Sequence, residues 1–315
     1  MNNYPIATIL GGGGFIGRYL VRNLTKKNFR CIIPTRNAFT KGYLKTQAAP
    51  GAIEFINFNT DEIKNAIENS DIVINLCGIL YETRKQKFNT IHVDLPETIA
   101  ALCAQADVKK FVHVSAIGAS KESRSKYQQS KFLGEERALN NFENTAIVRP
   151  SIVEGSESLL SNLFAKLSSF FPILPVPKMN TYRIQPLMVN DCAKAIVSAI
   201  GIKDNSKAIY ELGGNKVYTF GEYVELILKI IRKKRMVVDM PMSLAKLQSS
   251  ILSVLPFKSI LSRDQCTILE SKDNVVSGAH LTFKDLNIKP AVDLEKEMEK
   301  YLWRYRSQGE FNNDL

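Results

Sequence analysis

A chain of 315 residues with 45% hydrophobic content can bury one large core and a smaller second one, which excludes disorder as an overall description. Its five cysteines, Cys31, Cys77, Cys103, Cys192 and Cys266, are scattered and never form a C-x-x-C pair, which argues against a disulfide scaffold or zinc site and for a reducing compartment. The formal charge of +11 suits an anionic partner, yet there is no zinc finger, RNP signature or aromatic-interleaved basic tract, so no nucleic-acid partner is expected.

The opening Met1-Asn2-Asn3-Tyr4-Pro5 runs straight into a strand and lacks the features of a secretory signal, so the chain is expected to start near Met1 and not to be secreted. No apolar run approaches the roughly 20 residues that cross a bilayer, so membrane contact is expected to be peripheral. A cytoplasmic or matrix-side protein is the expectation. Residues 6–10 read as a strand, 16–24 as a helix and 30–34 as a second strand. Runs at 54–58, 72–76, 111–114 and 145–148 continue the strand series, and 61–68 and 96–106 carry apolar residues at helical spacing. Such alternation predicts an α/β, Rossmann-type doubly wound parallel sheet. After Pro150 the rhythm changes. Prolines gather at Pro172, Pro175 and Pro177, then a helix at 191–199 and a strand at 208–212 return to complete the main sheet. Expected domains are therefore 1–150, completed by about 190–214, and a smaller, mostly helical lobe of 151–189 and 215–315.

The first strand and helix are joined by Gly11-Gly12-Gly13-Gly14-Phe15-Ile16-Gly17. Glycines there let the backbone turn tightly and approach a pyrophosphate, while bare N–H groups at the helix start stabilise its charge. Gly17 lets the helix pack closely on the strand. Nucleotide preference is decided about 20 residues beyond the loop, where an NAD site carries a carboxylate. This chain reads Pro34-Thr35-Arg36-Asn37 instead. Arg36 can grip a 2′-phosphate, so NADP(H) is the preferred cofactor and NAD(H) the alternative.

Gly14-Phe15-Ile16-Gly17, Asn75-Leu76-Cys77-Gly78, Tyr127-Gln128-Gln129-Ser130-Lys131 and Arg149-Pro150-Ser151, in that order, resemble the motifs of extended and atypical short-chain dehydrogenases/reductases, the NAD-dependent epimerase/dehydratase superfamily. The resemblance continues through Gln185-Pro186-Leu187-Met188-Val189-Asn190-Asp191 and covers essentially the whole chain. Within the superfamily, Ile32-Ile33-Pro34-Thr35-Arg36, Ile72-Val73-Ile74-Asn75-Leu76 and Tyr81-Glu82-Thr83 are similar to the nucleotide-binding accessory subunits of respiratory complex I. The resemblance implies nucleotide contacts at Gly11, Gly13, Gly14, Phe15, Ile16, Gly17, Arg36, Asn75, Cys77, Gly78, Val114, Ser115, Tyr127, Lys131 and Pro150. It implies a catalytic set of Tyr127, Lys131 and Ser115, in which the lysine lowers the phenol pKa and the tyrosine exchanges a proton with substrate. Two departures weigh against turnover: Ala116 stands where the third catalytic hydroxyl is usual, and the interval from Ser115 to Tyr127 is short. Asn57 or Asn59 stands where the family often offers an aspartate to adenine, so that contact is expected to be weak or absent. His92, His113 and His280 have no metal-ligand spacing; no metal site is expected, and none of the three is assigned a catalytic role.

Residues 222–235 read as a helix whose apolar stripe ends in four cations, Arg232, Lys233, Lys234 and Arg235. With the apolar Leu244, Leu247, Ile251 and Leu255 of 243–257, these cations are a candidate contact for an acidic partner or an anionic membrane. Two functions follow. The resemblance implies an NADP(H)-binding accessory subunit of complex I without turnover, with other complex I subunits as partners. The intact Tyr127 and Lys131 pair keeps open an active NADP(H)-dependent reductase, epimerase or dehydratase.

Overall fold

A computed structural model describes residues 4–202, 206–254, 262–290, 293–307 and 309. Its centre is a seven-stranded sheet formed by β1 (Ile6–Leu10), β2 (Arg30–Thr35), β3 (Ile53–Asn57), β4 (Ile72–Asn75), β5 (Lys110–Val114), β6 (Thr145–Pro150) and β11 (Ile209–Leu212). The order is β11-β6-β5-β4-β1-β2-β3, and every pairing is parallel. Strands covered on both faces carry near-continuous apolar runs rather than alternating ones. Every residue of β4, β5 and β6 is buried, and polar ones among them, such as Asn75 and Arg149, are hydrogen-bonded. Strand order reverses between β1 and β4, so the crevice beyond their C-terminal ends is the ligand position of a doubly wound sheet.

Helices α1 (Phe15–Thr25) and α6 (Val189–Gly201) pack together on one face. Helices α2 (Thr60–Glu68), α3 (Leu95–Gln105) and α4 (Lys126–Asn141) cover the other. The two-residue period of a strand divides β1 between them. Ala7 and Ile9 join Leu20, Leu24 and Ile196 in one layer, and Leu10 joins Ile67, Ile99 and Phe111 in the other. The strand expected near residue 208 does extend the main sheet, pairing with β6.

The smaller lobe has its own core of Phe164, Val176, Phe220, Tyr223, Ile227, Met298 and Leu302. It contains α5 (Leu159–Phe170), α7 (Phe220–Ile230), α8 (Met242–Val254), α9 (Arg263–Leu269) and α10 (Leu294–Leu302). Four short strands fall between these helices and the main sheet: β7 (Val153–Glu154) with β10 (Leu187–Met188), and β9 (Arg183–Ile184) with β12 (Tyr218–Thr219). The proline-rich stretch also becomes a strand, β8 (Ile173–Pro177), paired in parallel with β13 (Met236–Met240). Prolines at 175 and 177 are tolerated because a two-stranded sheet leaves each strand an edge free of hydrogen-bonding demand.

The helix expected over 222–235 stops early, at Ile230. Arg232 takes φ +56°, its N–H donates to Lys229 O at 3.1 Å, and the Lys233 N–H donates to Leu228 O at 3.0 Å. That is a left-handed stop which satisfies the last carbonyls. The four cations therefore lie beyond the helix rather than in its final turn. Leu255, from the expected apolar stripe, lies outside the described residues, as does the side chain of Ile251.

Candidate functional site

The glycine loop reaches into the crevice between β1 and β4. Gly11 has φ +81°, and a Cβ there would lie 3.1 Å from the Leu76 carbonyl carbon. At Gly17 a Cβ would stand 2.4 Å from Gly11 O and 2.5 Å from Gly12 O. Helix α1 starts from Gly14 with no side-chain cap and no acid in its first turn. Its leading amides have no intrahelical acceptor, so its positive end is uncompensated toward the crevice. Phe15, half-buried in that first turn beside Ile16, packs on Gly155, where a Cβ would lie 2.9 Å from its ring.

At the end of β2, Thr35 Oγ1 accepts the Asn37 N–H at 3.3 Å, and Asn37 Oδ1 accepts the Thr40 N–H at 3.3 Å. This compact turn leads into a 3-10 helix, Phe39–Gln47. Arg36 is exposed on it and, among the described residues, makes no ion pair. Asn57 and Asn59 are both engaged by Glu62: the Asn57 amide donates to Glu62 Oε1 at 2.7 Å, and Asn59 caps α2 by accepting the Glu62 N–H at 2.9 Å. Both amides are committed to the start of α2.

Across the switch point, buried Asn75 Oδ1 accepts the Cys77 N–H at 3.0 Å, and its Nδ2 lies 3.2 Å from His113 Nδ1. Burial lifts the Cys77 thiol to about 11, against the pull of Lys131 and Arg36. A Cβ at Gly78 would lie 3.1 Å from Lys131 Nζ, and that ammonium donates to Val114 O at 3.2 Å. Ser115 is tied through its N–H to Val148 O at 2.8 Å; its hydroxyl is buried and has no partner among the described residues. Pro150 closes β6, and its carbonyl accepts the Ile117 N–H at 3.1 Å. The structure thus gathers Asn75, Cys77, Gly78 and Val114 around Lys131. Arg36, on the turn after β2, makes no hydrogen bond or ion pair with this cluster among the described residues, and only its charge reaches Cys77.

Tyr127 is half-buried, one turn before Lys131 on α4. The resemblance implies a phenol held low by the lysine, but here burial pushes Tyr127 up to about 12. Lys131 is shifted by the same cause. Burial lowers it to about 8 despite Glu135, and its ammonium is held by the Val114 carbonyl.

His92 was assigned no role from sequence, yet it stands at the centre of this wall. Its Nε2 accepts the Ile79 N–H at 3.0 Å, so Nδ1 carries the proton and donates to Ser130 Oγ at 2.8 Å. Ser130 in turn donates to the Tyr127 carbonyl at 2.8 Å. The His92 ring stacks on Phe88 at 5.2 Å and meets the Tyr127 ring edge-on at 5.5 Å. Burial, then the nearby Lys131, holds His92 down at about 3, so it is neutral. The only sequence sign was Phe88 four residues earlier, which places both rings on one helical face.

The short segment between Ser115 and Tyr127 is folded onto α4. Gly118 has φ +88°, and a Cβ there would lie 2.3 Å from Gln128 Nε2. Helix α4 then starts from Ser125, and Asp264 of α9 joins the cap. Asp264 accepts the Ser125 hydroxyl at 2.7 Å, the Lys126 N–H at 2.7 Å and the Tyr127 N–H at 3.1 Å. Sequence reading had no means to find Asp264, since nothing local marks a cap that arrives from another helix.

On the smaller lobe, Lys233 Nζ donates to Ser169 Oγ at 2.8 Å and Arg235 Nε to Ser168 O at 2.8 Å. Met236 pairs with Ile173. The cations therefore flank the exposed Phe170, Phe171, Ile173 and Met236. Leu244 and Leu247 of α8, expected to share a contact surface with these cations, are exposed as well and follow them along the chain beyond β13. Among the described residues no helix is long and apolar enough to cross a membrane.

Residues 7–213 match the family described as the NAD dependent epimerase/dehydratase family. The mitochondrial NADH-ubiquinone oxidoreductase 40 kDa subunit of Neurospora crassa is 32% identical, over 97% of this chain and 81% of that protein. The mitochondrial NADH dehydrogenase [ubiquinone] 1 alpha subcomplex subunit 9 of Arabidopsis thaliana is 31% identical, over 96% and 79%. Among solved structures, an epimerase from Methanothermobacter thermautotrophicus superposes with a TM-score of 0.71 at 16% identity, covering 96% of this chain and 92% of its own. The Bacillus cereus UDP-glucuronic acid 4-epimerase, solved with UDP-glucuronic acid and NAD, does so with a TM-score of 0.70 at 19% identity, covering 94% and 98%. The parallel sheet order, the glycine loop at its switch point and these matches converge on one conclusion: the chain belongs to the NAD dependent epimerase/dehydratase family.

Proposed function

We propose that this protein is an NADP(H)-binding accessory subunit of respiratory complex I, held in the assembly without turnover. One observation carries the reading: a chain that aligns over nearly its whole length with mitochondrial complex I subunits keeps an uncapped, close-packed glycine loop. Backbone amides of Gly11, Gly13, Gly14, Phe15, Ile16 and Gly17 hold the diphosphate. Arg36 holds the 2′-phosphate, and having no ion-pair partner among the described residues leaves the guanidinium available. Asn75, Cys77 and Gly78 flank the adenosine half. Val114, Ser115, Tyr127, Lys131 and Pro150 flank the nicotinamide half, with the Lys131 ammonium on the ribose. Bound nucleotide stabilises the fold by mass action, so it supports docking without reacting. The cations beside Phe170, Phe171, Ile173 and Met236 favour a matrix-side position against an anionic membrane surface.

The test is a pull-down of the full chain under mild detergent with its nucleotide identified. Other complex I subunits and NADP(H) should come with it; a chain recovered free of those subunits refutes the assembly role. In a parallel arm, the chain should sediment with phosphatidylserine vesicles less as salt rises. Absence of binding at low salt refutes the membrane contact.

A second reading, an active reductase, epimerase or dehydratase, is favoured by the buried Ser115 hydroxyl, without a partner among the described residues and next in sequence to Val114, whose carbonyl holds Lys131. A bound nicotinamide would supply hydride transfer there, and the Tyr127 phenol would exchange the proton. Carbonyl-dependent oxidation of NADPH, lost in Tyr127→Phe with nucleotide still bound, would select it over the accessory role.

A further inference from the structure

Residues 264–281 run from the smaller lobe across the crevice end of the main sheet, bonding along the way to residues that adjoin the nucleotide site. Asp264 accepts three hydrogen bonds at the start of α4, one of them from the Tyr127 N–H at 3.1 Å. Beyond α9, the Ser271 hydroxyl lies 3.5 Å from Gln128 Oε1. Asn274 Oδ1 accepts the hydroxyl of Ser151, the residue after Pro150, at 2.5 Å, and the Asn274 N–H donates to Arg183 O on β9 at 2.9 Å. The Ser277 N–H donates to Glu211 Oε2 at 2.7 Å, and the Arg149 guanidinium donates to His280 Nε2 at 3.1 Å. Leu281 then pairs with Tyr210 on the outer edge of β11. Arg149, Ser151 and Glu211 all stand at the C-terminal ends of their strands, the side on which a doubly wound sheet takes its ligand. Between Glu270 and Leu281 the segment gives no side chain to any of the three apolar cores. It is held by hydrogen bonds instead, as elements that open locally are.

We infer that this segment is a strap that sets the nicotinamide half of the site, with Asp264 as its positioning residue. The inference rests on the nucleotide reading above and deepens it. Tyr127 lies in the turn that Asp264 holds, and Lys131 follows one turn on, so fraying that turn displaces phenol and ammonium together. The glycine loop and Arg36 belong to β1, α1 and the turn after β2, and among the described residues they make no hydrogen bond to the strap. A loosened strap therefore weakens the grip on the nicotinamide half and spares the adenosine half. By linkage, a nucleotide seated against Tyr127 and Lys131 holds the strap closed.

The experiment combines calorimetric titration and hydrogen exchange on the nucleotide-stripped full chain. The ligands are NADPH and NADH, with adenosine 2′,5′-bisphosphate and 5′-AMP as fragments lacking the nicotinamide half. The chains are the wild type, Asp264→Ala, Asp264→Asn and Asp71→Ala. Asp71 accepts the Ile6 N–H at 2.7 Å and pairs with Lys109 at 2.6 Å at the opposite end of the sheet, so its loss controls for stability alone. In the wild type the dinucleotide should slow exchange at the Lys126 and Tyr127 amides and through 264–281, and the fragments should not. Asp264→Ala should weaken the dinucleotide by about tenfold, a usual size for coupled sites, with fragment affinity unchanged. Asp264→Asn, which keeps one acceptor oxygen, should fall between. Asp71→Ala should lower the thermal midpoint without splitting dinucleotide from fragment. Equal losses for both ligand types, unchanged dinucleotide affinity in Asp264→Ala, unaltered exchange in the strap, or the same split in Asp71→Ala overturns the strap and leaves nucleotide binding intact. A wild type that binds none of the four ligands overturns it together with the reading beneath.

Discussion

At Gly17 one hydrogen atom decides whether strand and helix can meet. The carbonyls of Gly11 and Gly12 occupy the space a Cβ would take, and both belong to the turn that carries the loop, so neither can yield alone. Gly17→Ala is expected to destabilise the fold by about 1–3 kcal/mol, the usual cost of overpacking. It should also abolish nucleotide binding; a thermal midpoint and a titration check both. An alanine variant with wild-type stability and affinity would show that the turn can widen. The glycine spacing was legible in the sequence because a tight turn and a close approach each demand a missing side chain at a set position. His92 was not legible, because a lone histidine carries no spacing, and only the folded chain sets it between Ile79, Ser130 and Phe88.

Among the elements, α4 shows most plainly how one segment completes another. Ser125 satisfies the Gln128 N–H at 3.3 Å, and the Asp264 carboxylate takes two more of the leading amides and adds negative charge to the helix's positive end. Removing that carboxylate in Asp264→Ala should cost about 0.5–2 kcal/mol. In urea unfolding the midpoint should fall, and hydrogen exchange should quicken at the Lys126 and Tyr127 amides ahead of the rest of α4. Uniform exchange across the helix would show that α9 is not its cap. The inner strands β1, β2, β4, β5 and β6 were legible because burial on both faces favours long apolar runs. β8 and the early end of α7 were not, since a proline-bearing strand and a left-handed stop at Arg232 depend on neighbours far along the chain.

For the molecule as a whole, buried histidines couple stability to pH. His92 has a folded value of about 3 against an ordinary 6.5, and His113, fully buried beside Asn75, is also pushed well down, chiefly by burial. Below pH 6.5 the unfolded chain takes up protons on these rings that the folded chain refuses, so stability should fall as pH drops from 6.5 toward 3. Glu154, buried among Ser158, Ser161 and Tyr301, is raised by burial, so it works in the opposite sense within the same range, as pH falls toward 4.5. Urea midpoints over that range should decline on acidification, and His92→Asn should reduce the slope. A slope unchanged in the variant would remove His92 from the linkage.

The succession of the main-sheet strands, the phosphate-type loop and the absence of a carboxylate after β2 were set by the sequence alone. Each is a local feature, written in burial period or residue spacing. Only the tertiary structure decided that Asp264 caps α4 and that the cations of 232–235 stand beside Phe170, Phe171, Ile173 and Met236. Those pairings join surfaces whose partners are brought together by packing, and no periodicity along the chain records which surfaces will meet.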